Sequence, residues 1–191
     1  MILPALLVLA ALPQGLADHL REAAVVHADF QQTRHLKALS RPLKASGTLV
    51  LARDKGVVWS VRKPLAITYV IGPGGLLVVD AQGRREKRTA KDLPVLGQMG
   101  RVFQSLVQGD WKALEAHFAI EGSGGAAAWE VVLTPKAGLA GYLRQVRMKG
   151  GRFVDQVTID DAGGDRMEIA FSRQRSQDPL APDEAALLAL E

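Results

Sequence analysis

Over most of this chain, apolar residues return at every second position in short runs that end at glycine. Period two is the spacing of a strand with one face against a core. Residues 28–36 and 45–52 read as strands, and residues 56–63 continue the pattern. There Val57, Trp59 and Val61 face one way while Val58, Ser60 and Arg62 face the other. Pro64 lacks the amide that a ladder needs, so it belongs at a strand end or edge. Ile67, Tyr69 and Ile71 alternate with Ala66, Thr68 and Val70. Gly72-Pro73-Gly74-Gly75 is a turn, residues 76–80 are a strand, and the basic run at 84–88 follows Gln82-Gly83 as the next. After Gly109 come strands at 116–121, through Trp129, Val131 and Leu133, and at 143–149, 152–160 and 166–173. Their separators at 122–125, 150–151 and 162–164 are glycine-rich, as hairpin connections are.

Three segments depart from this rhythm. Residues 91–108 gain helical spacing, with Leu96, Met99, Val102, Phe103 and Leu106 on one stripe. Asp92 suits a cap and Pro94 a first turn. Gly97 and Gly100 weaken this helix by about 1 kcal/mol each relative to alanine. A loosely held helix suits a lid. Residues 18–26 predict a short helix with Leu20, Ala23, Ala24 and His27 on one face, and residues 182–190 predict another. About ten to eleven strands joined by tight turns exclude a doubly wound α/β fold. One helix pair cannot cover a sheet of that size, so the chain needs a closed barrel, a sandwich or a covered open barrel.

Residues 1–17 read as an export signal, with an apolar run from Ile2 to Leu12 and a small-residue site before Asp18. The remaining 18–191 read as a single domain, expected in the periplasm as a monomer. A chain of 191 residues that is 48% hydrophobic can build one packed core. It contains no cysteine, which excludes disulfides and thiolate chemistry. Formal net charge is +4, and the densest basic stretch is Arg84-Arg85-Glu86-Lys87-Arg88 with Lys91 nearby. That run is a solvated strand or a docking patch for an acidic partner or anionic headgroups. It has no interleaved aromatics, so nucleic acid is not an expected partner.

No constellation for chemistry emerges. His19, His27, His35 and His117 have no metal-ligand spacing, there is no nucleophile elbow, and no phosphate-binding loop precedes a helix. Asp160, Asp161 and Asp165 cluster at a hairpin, where turn chemistry accounts for them. No catalytic residue, metal or cofactor is therefore assigned.

Several segments share their order with one family. Asp29-Phe30-Gln31-Gln32 is similar to a first-strand Phe-x-Gln signature, and Gly47-Thr48-Leu49 through Arg53 to the next strand, which ends in arginine. Trp59 falls six residues after Arg53 and Pro64 five after Trp59, and Leu133-Thr134-Pro135-Lys136 matches a further segment. On these residues the chain resembles the periplasmic lipoprotein carrier family of the LolA type, over residues 18–173. It departs from that family in Asp54 after Arg53, in Leu76-Leu77-Val78-Val79 without an aromatic pair, and in its C-terminal tail. The resemblance implies an unclosed antiparallel β-barrel, mainly β within the α+β class, with a helical lid over a hydrophobic cavity. It implies lipoprotein or other acylated-lipid cargo, taken from an inner-membrane exporter to an outer-membrane acceptor. It also implies that Arg53 latches the lid by bonding lid backbone.

The residues themselves support a cavity between the sheet and the 96–106 stripe, although such stripes also build ordinary cores. The expected lining is Phe30, Leu49, Leu51, Trp59, Tyr69, Leu96, Met99, Phe103, Leu106 and Met167. Function is then carriage of acyl chains. The alternative is a module on the same scaffold that senses lipids or lipoproteins and regulates a partner.

Overall fold

The computed structural model describes residues 23–73, 75–88, 105, 110–177 and 179–189. Six strands follow one another from the amino-terminal side: β1 (Val25–His35), β2 (Leu43–Ala52), β3 (Gly56–Lys63), β4 (Ile67–Gly72), β5 (Gly75–Asp80) and β6 (Arg85–Arg88). A five-residue helix, α1 (Trp111–Glu115), leads into β7 (Phe118–Gly125), β8 (Ala128–Pro135), β9 (Leu143–Gly150), β10 (Val154–Asp161) and β11 (Arg166–Ser176). The helix α2 (Pro182–Leu188) follows.

All eleven strands form one sheet in the order β6-β5-β4-β3-β2-β1-β11-β10-β9-β8-β7. Each half is an antiparallel meander, as its short turns require. The antiparallel pair β1–β11 joins the halves at the centre. β6 and β7 remain as edges, so the sheet is an unclosed half-barrel, as the family resemblance implies.

The pairing register fixes two faces. On one, Phe30 lies opposite Gly47 and Phe171, Leu49 opposite Trp59, and Trp59 opposite Tyr69. The same face continues through Ile169, Val157, Met148, Val131 and Gly122 to the far edge. On the other face, His27 lies opposite Val50, Val50 opposite Val58, Val58 opposite Val70 and Val70 opposite Leu77.

Two separate cores result. On the Phe30 face of the β7–β10 half, Trp111 and Leu114 of α1, with Leu139, pack onto Phe118, Trp129, Val131, Leu133, Val146 and Met148. On the His27 face of the β1–β5 half, Leu187 and Leu188 of α2, with Leu180, cover Val50, Val58, Val70 and Leu77. This second core explains the unbroken apolar runs Val57-Val58-Trp59 and Leu76-Leu77-Val78-Val79. Strands covered on both faces lose the polar half of their alternation. The His27 face of β8 and β9 is polar and carries Arg147–Glu130 and Lys149–Glu130 ion pairs at 3.1 and 3.8 Å.

Strand boundaries at 56–63 coincide with expectation, and most others lie within three residues of it. Two readings need correction, and one element was not foreseen. Val25 and Val26 begin β1 rather than end a helix, because they pair with Ala52 and Leu51; residues 18–22 lie outside the described set. The glycine-rich stretch at 122–125 is strand, and the hairpin turns at Ala126-Ala127, between Gly125 and its partner Ala128. α1 has no counterpart among the expected elements. Its five residues are too few to show a period, although Asp110 caps it by accepting from the Ala113 amide at 3.0 Å. The expected lid helix at 91–108 lies outside the described residues, apart from helical Ser105.

Candidate functional site

The Phe30 face of β1–β5 is where the expected lining residues meet. Leu49 and Leu51 alternate along β2, Trp59 lies beside Leu49 on β3, and Tyr69 beside Trp59 on β4. Val57, Ile71, Leu76 and Val78 extend the same surface. These four lie outside the expected lining, although period two from Trp59 and Tyr69 reaches Val57 and Ile71 directly. Met167 of β11 shares this face but lies opposite Arg34, toward the β1–β2 loop. Leu96, Met99, Phe103 and Leu106 lie outside the described residues.

Phe30 is the anchor of the surface. Only 1% of it is exposed, and its ring sits 4.2 Å from that of Trp59, tilted by 35°. Phe171 completes the group, 6.2 Å from Trp59 and nearly edge-on at 81°. Such offset and edge contacts are the favoured arrangements of aromatic rings. Leu49, Leu51, Trp59 and Tyr69 are half-buried, in contrast to Val131 and Leu133 under α1, which have no exposed surface. The apolar face is therefore continuous over the sheet, yet α1 seals only one half of it.

Arg53 sits at the end of β2. Its guanidinium donates to the Ala23 carbonyl at 3.0 Å, and its amide donates to the Ala24 carbonyl at 2.9 Å. It ties the β2 end to the backbone entering β1.

A polar cleft of about 360 Å³ lies elsewhere, lined by His35, Arg144, Asp160, Asp161, Gly164, Asp165, Arg166 and Glu168. Its acids are occupied locally. Asp160 accepts from Arg166 at 2.6 Å, Asp161 from the Asp165 amide at 2.9 Å, and Asp165 from the Lys37 amide at 2.9 Å. The bond to Asp160 holds the Arg166 guanidinium above its ordinary pKa. This is hairpin chemistry, as the spacing of these acids predicts. Among the described residues, no group of three His, Asp or Glu side chains could hold a metal ion. No described helix is long and apolar enough to cross a membrane.

A curated relative, the outer-membrane lipoprotein carrier protein of Dechloromonas aromatica (strain RCB), is 27% identical over 161 residues, covering 83% of this chain and 74% of its own. Among solved structures, a LolA superfamily protein of Nitrosomonas europaea aligns with a TM-score of 0.48 at 10% identity, over 88% of this chain and 92% of that one. A putative outer membrane lipoprotein-sorting protein domain of Vibrio parahaemolyticus gives 0.46 at 11% identity, over 90% and 94%. A DUF1329 family protein of Desulfovibrio piger gives 0.46 at 10%, over 92% and 95%. The family profile described as outer membrane lipoprotein carrier protein LolA-like matches residues 12–160, most of the chain, so the chain belongs to that family.

Proposed function

We propose that this protein carries acyl chains of lipoproteins or related lipids through the periplasm, holding them against the Phe30 face of β1–β5. The observation that carries the reading is the asymmetry of that face. One half is closed by Trp111 and Leu114, while the other presents half-buried Leu49, Leu51, Trp59 and Tyr69. Removing a methylene from water contributes about 0.8 kcal/mol, so a chain of ~16 carbons gains on the order of 12 kcal/mol before ordering costs. A bilayer offers the same chain a similar gain. Transfer in either direction is then an exchange between two apolar phases, and the carrier needs no chemistry or nucleotide of its own. An inner-membrane donor and an outer-membrane acceptor are the partners this reading requires. Arg53, which already bonds the backbone ahead of β1, is the proposed latch between empty and loaded states.

The test is direct. The protein is purified from cell membranes, and extracted ligand is identified by mass spectrometry. Lipoprotein or lipid in stoichiometric amount is the expected result. Protein that is consistently empty, yet holds a protein partner, would move the assignment to the sensing module.

A further inference from the structure

Among the described residues, four large hydrophobic side chains are exposed: Leu39 at 48%, Leu43 at 51%, Leu65 at 77% and Tyr142 at 60%. The register places all four at one end of the sheet. Leu43 pairs with Arg34 where β1 ends, Ser46 pairs with Lys63 where β3 ends, and Asp161 pairs with Leu143, next to Tyr142. The β1–β2, β3–β4 and β8–β9 loops therefore emerge together on this rim. Among the described residues, the opposite rim, with the β2–β3 loop at 53–55 and the β9–β10 loop at 151–153, carries no exposed large hydrophobic. Single exposed apolar residues scattered over a surface need no explanation, but their confinement to one end does.

The rim is also basic. The segments 36–42, 63–66, 81–84 and 136–142, all on this rim, contain no Asp or Glu. Lys37, Arg41, Lys44, Arg62 and Lys63 are exposed there, and none forms an ion pair among the described residues. Asp80 pairs with Arg84 at 2.6 Å, Asp160 with Arg166 at 2.6 Å and Asp165 with Arg34 at 3.7 Å, while Asp161 and Glu168 line the polar cleft beside Arg144. Apolar tips interleaved with uncompensated cations match the surface of an anionic bilayer. The tips enter the boundary between headgroups and acyl chains, and the cations meet the negative surface potential.

We infer that the rim built by the β1–β2, β3–β4 and β8–β9 loops docks on bilayers rich in anionic phospholipid, with Leu39, Leu43, Leu65 and Tyr142 as its inserted tips. This goes beyond acyl-chain carriage and does not depend on it, since a chain that loads no cargo still passes or fails the test below. It assigns a membrane-facing end to the half-barrel and leaves its apolar face free of the bilayer plane.

The chain has no cysteine, so single substitutions give unique labelling sites. Leu65→Cys on the rim and Asp54→Cys on the opposite end are labelled with an environment-sensitive fluorophore. Each is mixed with vesicles of phosphatidylethanolamine and phosphatidylglycerol, or of phosphatidylcholine alone. The Leu65 label is expected to shift to the blue with the anionic vesicles only, and the Asp54 label to stay unchanged. In flotation, Leu39→Glu combined with Leu65→Glu is expected to weaken binding to the anionic vesicles roughly tenfold or more, with an unchanged circular dichroism melt. No shift at Leu65, equal shifts at both ends, or undiminished flotation of the double variant would each overturn the inference. So would recovery from membranes solely through a protein, with no affinity for protein-free vesicles.

Discussion

Phe30 lies across a place where β2 has no side chain. Gly47 is its register partner, and a Cβ on Gly47 would fall onto the Ser60 carbonyl oxygen and lie 3.0 Å from Phe30 Cε1. The glycine thus lets the Phe30 ring reach over β2 to Trp59 on β3. Gly47→Ala would force a central strand and the buried ring apart. The expected cost is about 1–3 kcal/mol, read from urea denaturation, with loss of near-ultraviolet dichroism from Trp59. The resemblance drew attention to Phe30, but nothing in the spacing of Gly47 revealed why it is glycine, because the clash is with a neighbouring strand. Asp80 shows a second local dependence. Burial works to raise its pKa, but hydrogen bonds from the Arg84 amide, the Arg84 side chain and the Gln82 amide outweigh it and hold the carboxyl below its ordinary value. A depressed folded-state pKa stabilises the fold above the unfolded value of about 3.9, and the contribution disappears as pH falls through the lower folded value. NMR titration of Asp80 should show a midpoint below that of a free aspartate, returning toward it in Arg84→Ala.

At the scale of elements, α2 is the piece whose role was least visible beforehand. Its helical character was legible from Pro182 and the acidic first turn, Asp183 and Glu184. Its target was not, because the second apolar face exists only once β2 to β5 are aligned. The unbroken runs in β3 and β5 were the available signal. His27 fastens the helix: it is 6% exposed, and its Nε2 lies 2.9 Å from Glu184 Oε1. The other Glu184 oxygen accepts from the Ala181 amide at 3.1 Å, so one carboxylate both caps α2 and fixes it to β1. A double-mutant cycle with His27→Ala and Glu184→Ala should give a coupling of about 0.5–3 kcal/mol. Leu188→Ala, which removes a buried side chain over Val50 and Val70, should destabilise by about 2–5 kcal/mol in the same urea assay. A coupling near zero would mean that α2 is held by its leucines alone.

The whole molecule is a sheet whose two halves carry the same kind of apolar surface, with α1 over only one of them. Period-two alternation was enough to predict a mainly β antiparallel sheet, since it is written locally in each strand; that the sheet stays unclosed is what the family resemblance implied. The alternation could not show which half of the apolar face would be closed, because α1 is too short to leave a periodic trace and acts through Trp111 and Leu114 across the sheet. On the proposed carriage, that division makes lipid binding separable from stability. Val131 is wholly buried in the sealed half, so Val131→Ser should lower stability by about 1–3 kcal/mol while the folded fraction still binds lipid as before. Leu51 and Tyr69 are half-buried on the other half, so Leu51→Ser with Tyr69→Ser removes less packing and should cost less stability. Each Ser loses several methylene equivalents of contact with an acyl chain at about 0.8 kcal/mol apiece, which predicts at least a tenfold loss of affinity for a fluorescent fatty-acyl probe. If both variants lost binding only in proportion to their loss of folded protein, the two halves would be one ordinary core and the face of β1–β5 would hold no cargo.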